Sequence, residues 1–94
     1  MLEHAYHGHT SSLIDVSPYK FQGPGGSGKK PWVHVAPLPD VYRGIYRGSG
    51  KDLGARYAAF VGEICRELLS GGKRPTYIAE TLPSVGGQIV FPPD

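Results

Sequence analysis

The fold class is decided by residues 52–80, whose sequence is DLGARYAAFVGEICRELLSGGKRPTYIAE. Apolar residues recur at spacings of three and four, which predicts an amphipathic helix over 52–70. These apolar positions are Leu53, Tyr57, Phe60, Val61, Ile64 and Leu68. Asp52 is the expected N-cap, and Gly71-Gly72 is the expected C-terminal stop.

Two strand-like segments flank this helix along the chain. Residues 32–36 and residues 76–79 are β-favouring apolar runs, each bounded by proline. The order strand–helix–strand predicts an α/β fold with a parallel-rich sheet and flanking helices. Further upstream, Thr10 or Ser11 is expected to cap a short helix that Pro18 ends.

Length and composition limit the architecture to one small domain. The chain has 94 residues, of which 14 are glycine and 9 are proline. This length allows a single small domain over 1–94. No apolar run approaches the ~20 residues that span a bilayer, and no secretory leader is expected from residues 1–4. The single cysteine, Cys65, excludes an internal disulfide and favours a reducing, cytoplasmic location. Its helical neighbours favour a buried Cys65 rather than a nucleophile.

The charge distribution is uneven. The net charge is +2, but residues 20–56 hold seven basic and two acidic residues. A local basic stretch can bind phosphate, although it is more often a solvated loop, and no nucleic-acid partner is expected. The basic, Tyr-rich residues 42–57 therefore remain a candidate surface for a phosphate or a protein partner.

Two motifs resemble ligand sites without completing them. Residues 23–30, GPGGSGKK, approach the phosphate-binding loop but lack its preceding strand, its following helix and its final hydroxyl. We expect a flexible loop over 22–31. His4, His7 and His9 supply three imidazoles around a turn, whereas a structural zinc site usually has four ligands, so no metal site is expected.

Glu80 follows the last strand-like segment directly. Ligands of parallel α/β sheets gather at the carboxyl ends of strands, so a carboxylate there could face a site. A plain surface carboxylate is an equally good interpretation from the pattern alone.

Three separated blocks carry a resemblance to a known family. They are AYHGHTSSLIDVSPYKF at 5–21, WVHVAPLPDVYRG at 32–44 and IAETLPSVGGQI at 78–89. Together they resemble the class III, fold-type I pyridoxal-phosphate enzymes. The likeness is greatest to the phospho-lyase branch, which acts on 5-phosphohydroxy-lysine or ethanolamine phosphate. The chain is therefore expected to be an internal part of the large cofactor-binding domain, a single and incomplete domain.

The resemblance implies cofactor contacts for four residues. Tyr6 would stack on the pyridine ring of pyridoxal 5'-phosphate, and offset aromatic stacking suits such a ring. His7 would support the ring from beside Tyr6, and Gly8 would let the backbone pass close to the ligand. Glu80 matches the first Glu of the family's Glu-Pro-x-Gln-x-Glu-Gly-Gly stretch, near the cofactor.

The chain also departs from the family pattern. Thr81, Pro83 and Val85 replace the Pro, Gln and second Glu of that stretch, which suits a lyase better than an ordinary transaminase. None of its five lysines stands in the family's Schiff-base context, so no catalytic residue is assigned. Retention of the cofactor, and enzymatic activity itself, are in doubt without that amine.

The resemblance implies a pyridoxal-phosphate-dependent lyase or transaminase as the full-length relative. It would act on a phosphorylated amine or amino acid, form a homodimer and work in the cytoplasm or in mitochondria, with no membrane or nucleic-acid partner. Two alternatives remain open: a non-catalytic remnant, and a module that binds a phosphate or a partner.

Overall fold

A computed structural model of the protein describes residues 1–93. Three helices lie within these residues: α1 (Ser11–Asp15), α2 (Pro18–Phe21) and α3 (Leu53–Ser70). Turns and extended segments make up the remainder of the described chain. No helix among residues 1–93 has the length and apolar content needed to cross a membrane.

The long helix α3 confirms the prediction for 52–70. Its C-terminus ends as expected, because Gly72 adopts a φ of +75° and the Lys73 N–H donates to the Leu68 carbonyl at 2.9 Å. The start of the helix differs from the expectation. Asp52 holds the N-cap position with a left-handed φ of 64°, and its side chain makes no capping hydrogen bond. Asp52 is therefore the N-cap residue, as predicted, but its carboxylate does not cap the helix.

In the part of the chain that the structure describes, the predicted parallel sheet is reduced to one bridge, between Leu2 and Ala36. The Glu3 N–H donates to the Ala36 carbonyl at 2.9 Å, and the Ala36 N–H donates to the Met1 carbonyl at 2.8 Å. These bonds place residues 1–3 parallel to residues 34–36. Of the predicted strand 32–36, only the C-terminal part therefore pairs with residues 1–3.

The prediction of a second buried strand at 76–79 is wrong. This segment forms no bridge within residues 1–93, and Thr76, Tyr77 and Ile78 are exposed. A fully buried parallel strand needs a neighbour on each edge and a layer on each face. The described segments do not supply that environment, so the α/β sheet is not formed as expected.

Pro18 has a second role beside ending the first short helix. It occupies the first position of α2, where its missing N–H costs nothing and its fixed φ suits the helix. Thr10 is the N-cap of α1, as expected, but without a side-chain capping bond. Residues 22–31 contain only turns and irregular backbone, as predicted, and the Lys29 ammonium donates to the Val33 carbonyl at 2.9 Å.

The core lies where the N-terminal bridge meets one face of α3. Its buried members are Leu2, Ala36, Leu38 and Ile89, and half-buried side chains pack against them. These half-buried residues are Phe60, Val61, Ile64, Ala79 and Phe91. Cys65 is only half-buried, so its predicted burial is partly confirmed. The core is small and holds the segment that carries Tyr6 next to the bridge.

Candidate cofactor site

Tyr6 lies shortly after the bridge, on the segment that leads into α1. Its ring is half-buried and meets the ring of Tyr19 edge to face, with 5.9 Å between the centroids. The Lys20 ammonium stands 5.8 Å from the Tyr6 centroid, near the outer limit of a cation–π contact. Two residues of α2, Tyr19 and Lys20, therefore pack against the Tyr6 ring.

Gly8 makes the turn between Tyr6 and α1. Its φ is +125°, a backbone conformation that residues other than glycine rarely adopt. A Cβ at this position would also stand 2.9 Å from Leu13 Cδ1. Glycine is therefore required at this position by the positive φ of the turn and by the close approach of Leu13 in α1.

His7 is anchored through its backbone to a buried serine. The His7 N–H donates to Ser17 Oγ at 2.8 Å, and the Ser17 hydroxyl donates to the Leu13 carbonyl at 2.6 Å. Ser17 is completely buried, so its hydroxyl fixes the backbone of the Tyr6–Gly8 segment against α1. The imidazole Nε2 is itself buried and has no hydrogen-bond partner within residues 1–93.

Burial lowers the pKa of the His7 imidazole below its usual 6.5, although the nearby Glu80 carboxylate opposes the shift. The folded chain therefore binds fewer protons at His7 than the unfolded chain does. Its contribution to stability is complete above pH 6.5 and is lost as the pH falls through the lowered pKa.

We expect the free energy of unfolding to decrease between pH 7 and pH 5, and His7→Gln to flatten this decrease. Urea unfolding at several pH values measures it. Burial also lowers the pKa of the Met1 amine, from 8.0, so that group adds a slope of the same sign. The difference between parent and variant isolates His7. Parallel pH profiles for the two chains would contradict the assignment.

Glu80 joins the end of the third sequence block to the Tyr6 segment. Its Oε1 accepts the Tyr6 N–H at 3.1 Å, and its Oε2 accepts the Ser84 N–H at 3.0 Å. The side chain is half-buried, which argues against a plain surface carboxylate. Both oxygens are occupied by backbone donors, so the carboxylate positions the backbone that carries Tyr6.

The structure thus brings together the four residues singled out in the sequence. Tyr6, His7 and Gly8 are consecutive, and Glu80 reaches them from 74 residues away. Sequence reasoning missed Ser17, because a buried serine before a proline has no distinctive pattern. Among residues 1–93, no group of three His, Cys, Asp or Glu side chains could hold a metal ion.

The basic region 42–57 uses part of its charge internally. Arg47 donates to the carbonyls of Gly44 and Arg43 at 3.0 and 3.3 Å. The Arg56 guanidinium lies 3.7 Å from the centroid of the Tyr46 ring. Two of its arginines therefore support the loop, which weakens the idea of a dedicated phosphate surface there.

Comparison with known proteins supports the resemblance seen in the three blocks. The chain is 50% identical over 95 residues to an alanine–glyoxylate aminotransferase 2-like protein of Drosophila melanogaster, with 97% of this chain and 19% of the relative covered. It is 38% identical over 104 residues to ethanolamine-phosphate phospho-lyase homolog 1 of Caenorhabditis elegans, with 100% of this chain and 22% of the relative covered.

No family model matches the chain. It spans about one fifth of the length of these two relatives. Both matches run through the Tyr6 and Glu80 blocks, since they cover all or nearly all of the chain. The chain is therefore homologous to a segment of an aminotransferase-like protein and of a phospho-lyase homolog, in agreement with its resemblance to the class III pyridoxal-phosphate enzymes.

Proposed function

We propose that the chain is a cofactor-contacting segment of a fold-type I, pyridoxal-phosphate-dependent enzyme. The whole protein would act on a phosphorylated amine or amino acid as a homodimer. One observation carries the proposal: the Glu80 carboxylate binds the Tyr6 backbone N–H at 3.1 Å. This bond joins the two blocks to which the resemblance assigns the cofactor.

The residues present fit the cofactor. Tyr6 offers a half-buried aromatic ring, packed in a T-shaped contact with Tyr19, that would stack on a flat ring. His7 offers a buried ring nitrogen with no partner among residues 1–93, so a ligand there could satisfy it. Tyr6 and His7 would therefore contact the cofactor, while Gly8 and Glu80 would shape the backbone between them.

When bound, pyridoxal phosphate supplies an electron sink for carbanion chemistry next to the substrate nitrogen. The chain's own residues do different work. Tyr6 orients the flat ring through its face, and Glu80 keeps Tyr6 in place. His7, whose pKa burial lowers, stays neutral near pH 7 and can accept or donate one hydrogen bond at Nε2.

Three substitutions favour the lyase over the transaminase. Thr81, Pro83 and Val85 stand where the aminotransferase pattern has Pro, Gln and Glu. Val85 is exposed and apolar, so it cannot form the ion pair that the second Glu makes with arginine in the aminotransferases. We therefore propose phosphate elimination as the reaction of the whole protein.

A chimera tests this proposal. Residues 1–94 replace the matching segment of the Drosophila relative, which then supplies the remaining four fifths of the protein. We expect the chimera to retain pyridoxal phosphate, and Tyr6→Ala to weaken retention about three- to tenfold, from the ~0.5–1.5 kcal/mol of aromatic stacking. Tyr6→Phe should keep most of the affinity, because the stacking face remains.

Cofactor dissociation is followed by absorbance after dilution into buffer without cofactor. Tyr42→Ala is the matched control, since Tyr42 is 79% exposed and lies on another loop. A chimera that folds but retains no cofactor would contradict the proposed function. Equal dissociation constants for Tyr6→Ala and the parent chimera would remove Tyr6 from the site.

A further inference from the structure

The stretch between α3 and Glu80 has a free backbone. Within residues 1–93, no backbone–backbone hydrogen bond involves residues 74–79, and the Lys73 N–H is the last of α3's closing turn to find a partner. The stretch contains neither helix nor turn, and Thr76 within it is exposed. Pro75 also disfavours a helical conformation at Arg74. Another protein can therefore bind this stretch along its backbone without unfolding an element.

Two cations stand just before Thr76. Lys73 and Arg74 occupy the third and second positions before it, and both are exposed. Neither forms an ion pair in the part of the chain that the structure describes. Arg74 and Thr76 line one cavity of about 550 Å³, whereas Tyr77 between Thr76 and Ile78 does not. Side chains two residues apart on a non-helical stretch can share a side, so the guanidinium and the hydroxyl are presented together.

The other serines and threonines lack this combination. Besides Thr76, only Ser49 has a lysine or arginine among the three residues before it. The cation there is Arg47, and its guanidinium donates to two carbonyls of its own turn at 3.0 and 3.3 Å. Thr76 is therefore the hydroxyl residue whose preceding cations are exposed and unpaired within residues 1–93.

We propose that Thr76 is a phosphorylation site for a basophilic serine/threonine kinase, a class that recognises cations on the N-terminal side of its target. Thr76 Oγ1 attacks the γ-phosphorus of the kinase's Mg-ATP, and the bond from that phosphorus to the bridging oxygen breaks. ADP leaves, and the hydroxyl proton passes to the catalytic aspartate of the kinase. Acidic side chains of the kinase pair with Lys73 and Arg74, because charge patterns select kinase substrates.

The modification would change what residues 76–79 can do. A phosphothreonine carries a charge of about −2, which is costly to bury without paired cations. The sequence of this stretch is that of a buried strand, although the stretch is unpaired within residues 1–93. Phosphorylation of Thr76 would therefore keep it out of a buried sheet.

Phosphorylation of the folded 94-residue chain tests the site. The chain is incubated with Mg-ATP and the catalytic subunit of cyclic-AMP-dependent protein kinase, and peptide mass spectrometry locates the phosphate. We expect stoichiometric phosphate on Thr76 and none on Ser49, and Thr76→Val should remove the label. Casein kinase II, which selects acidic surroundings, should leave Thr76 unmodified.

Two arginine variants test the recognition. Arg74→Gln should lower kcat/KM for Thr76 about tenfold, as the loss of one charge-assisted bond to the kinase implies. Arg66→Gln is the matched control, since it removes the same charge from an exposed position on α3. Circular dichroism checks that both variants keep the helical content of the parent.

Three results would overturn the proposal. One is a parent chain that takes up no phosphate on Thr76, and another is phosphate on Ser49 in place of Thr76. The third is an equal kcat/KM for Arg74→Gln and Arg66→Gln, which would show that the cations before Thr76 do not direct the kinase. No cofactor takes part in these assays, so their outcome is independent of the chimera.

Discussion

Tyr57→Ala is expected to lower the free energy of unfolding by about 3–5 kcal/mol, the range for deleting a buried aromatic side chain. Tyr57 is only 2% exposed, and its hydroxyl accepts the Tyr46 N–H at 2.9 Å. The same oxygen lies 3.0 Å from the Tyr46 carbonyl and 3.2 Å from the Asp40 carbonyl. Its one hydrogen can be donated to either carbonyl, so the hydroxyl ties both ends of the 40–46 loop to α3.

Urea unfolding followed by circular dichroism measures this loss. Tyr57→Phe separates the ring from the hydroxyl and should lose about 1–3 kcal/mol, because the Tyr46 N–H is left without its partner. Tyr42→Ala, at a position 79% exposed, is the control and should change stability by less than about 0.5 kcal/mol. A Tyr57→Phe chain as stable as the parent would show that the hydroxyl does not hold the loop.

Glu80→Ala is expected to lower the free energy of unfolding by about 2 kcal/mol. The substitution removes the acceptor of two backbone N–H groups, and bonds to charged acceptors contribute more than neutral ones. The bond to Ser84 is exposed to water, which reduces its share. In the chimera, the same substitution should also weaken cofactor retention, because Tyr6 loses the contact that positions it.

Glu80→Gln keeps one acceptor oxygen and should lose about half as much stability, about 1 kcal/mol. Glu63→Gln on the exposed side of α3 is the matched control, with the same chemical change and no assigned contact. Equal unfolding midpoints for Glu80→Gln and Glu63→Gln would contradict the positioning role. Unchanged cofactor retention in the Glu80→Ala chimera would show that Glu80 contributes to the stability of the fold and not to cofactor binding.

The parts of the structure that sequence could predict are those set by local pattern. The 3.6-residue period and Gly72 determine α3 and its end, since both act within one or two turns of helix. The left-handed φ of Asp52 was not anticipated, although its N-cap position was, and the buried strand at 76–79 was predicted wrongly. The first reflects how the preceding loop enters the helix, and the second depends on neighbouring strands, which a local apolar run does not reveal.

In the candidate site, too, the residues of a local motif could be predicted and those that depend on distant contacts could not. The Tyr6–Gly8 motif was recognisable because its residues are consecutive. For Glu80 the two interpretations stayed open, because its partners lie at Tyr6, 74 residues away, and at Ser84. Ser17, which holds the His7 backbone from the N-cap position of α2, was not anticipated at all.

The separation between Tyr6 and Glu80 also determines when the site can form during synthesis. The Tyr6 motif is synthesised 74 residues before its carboxylate partner. Contacts between residues so distant in sequence form late, after the entropy of closing the intervening loop has been overcome. Until then the Tyr6 segment has only its local contacts with α1 and α2. A nascent chain stalled before residue 80 would therefore carry the Tyr6 segment without the carboxylate that fixes its backbone.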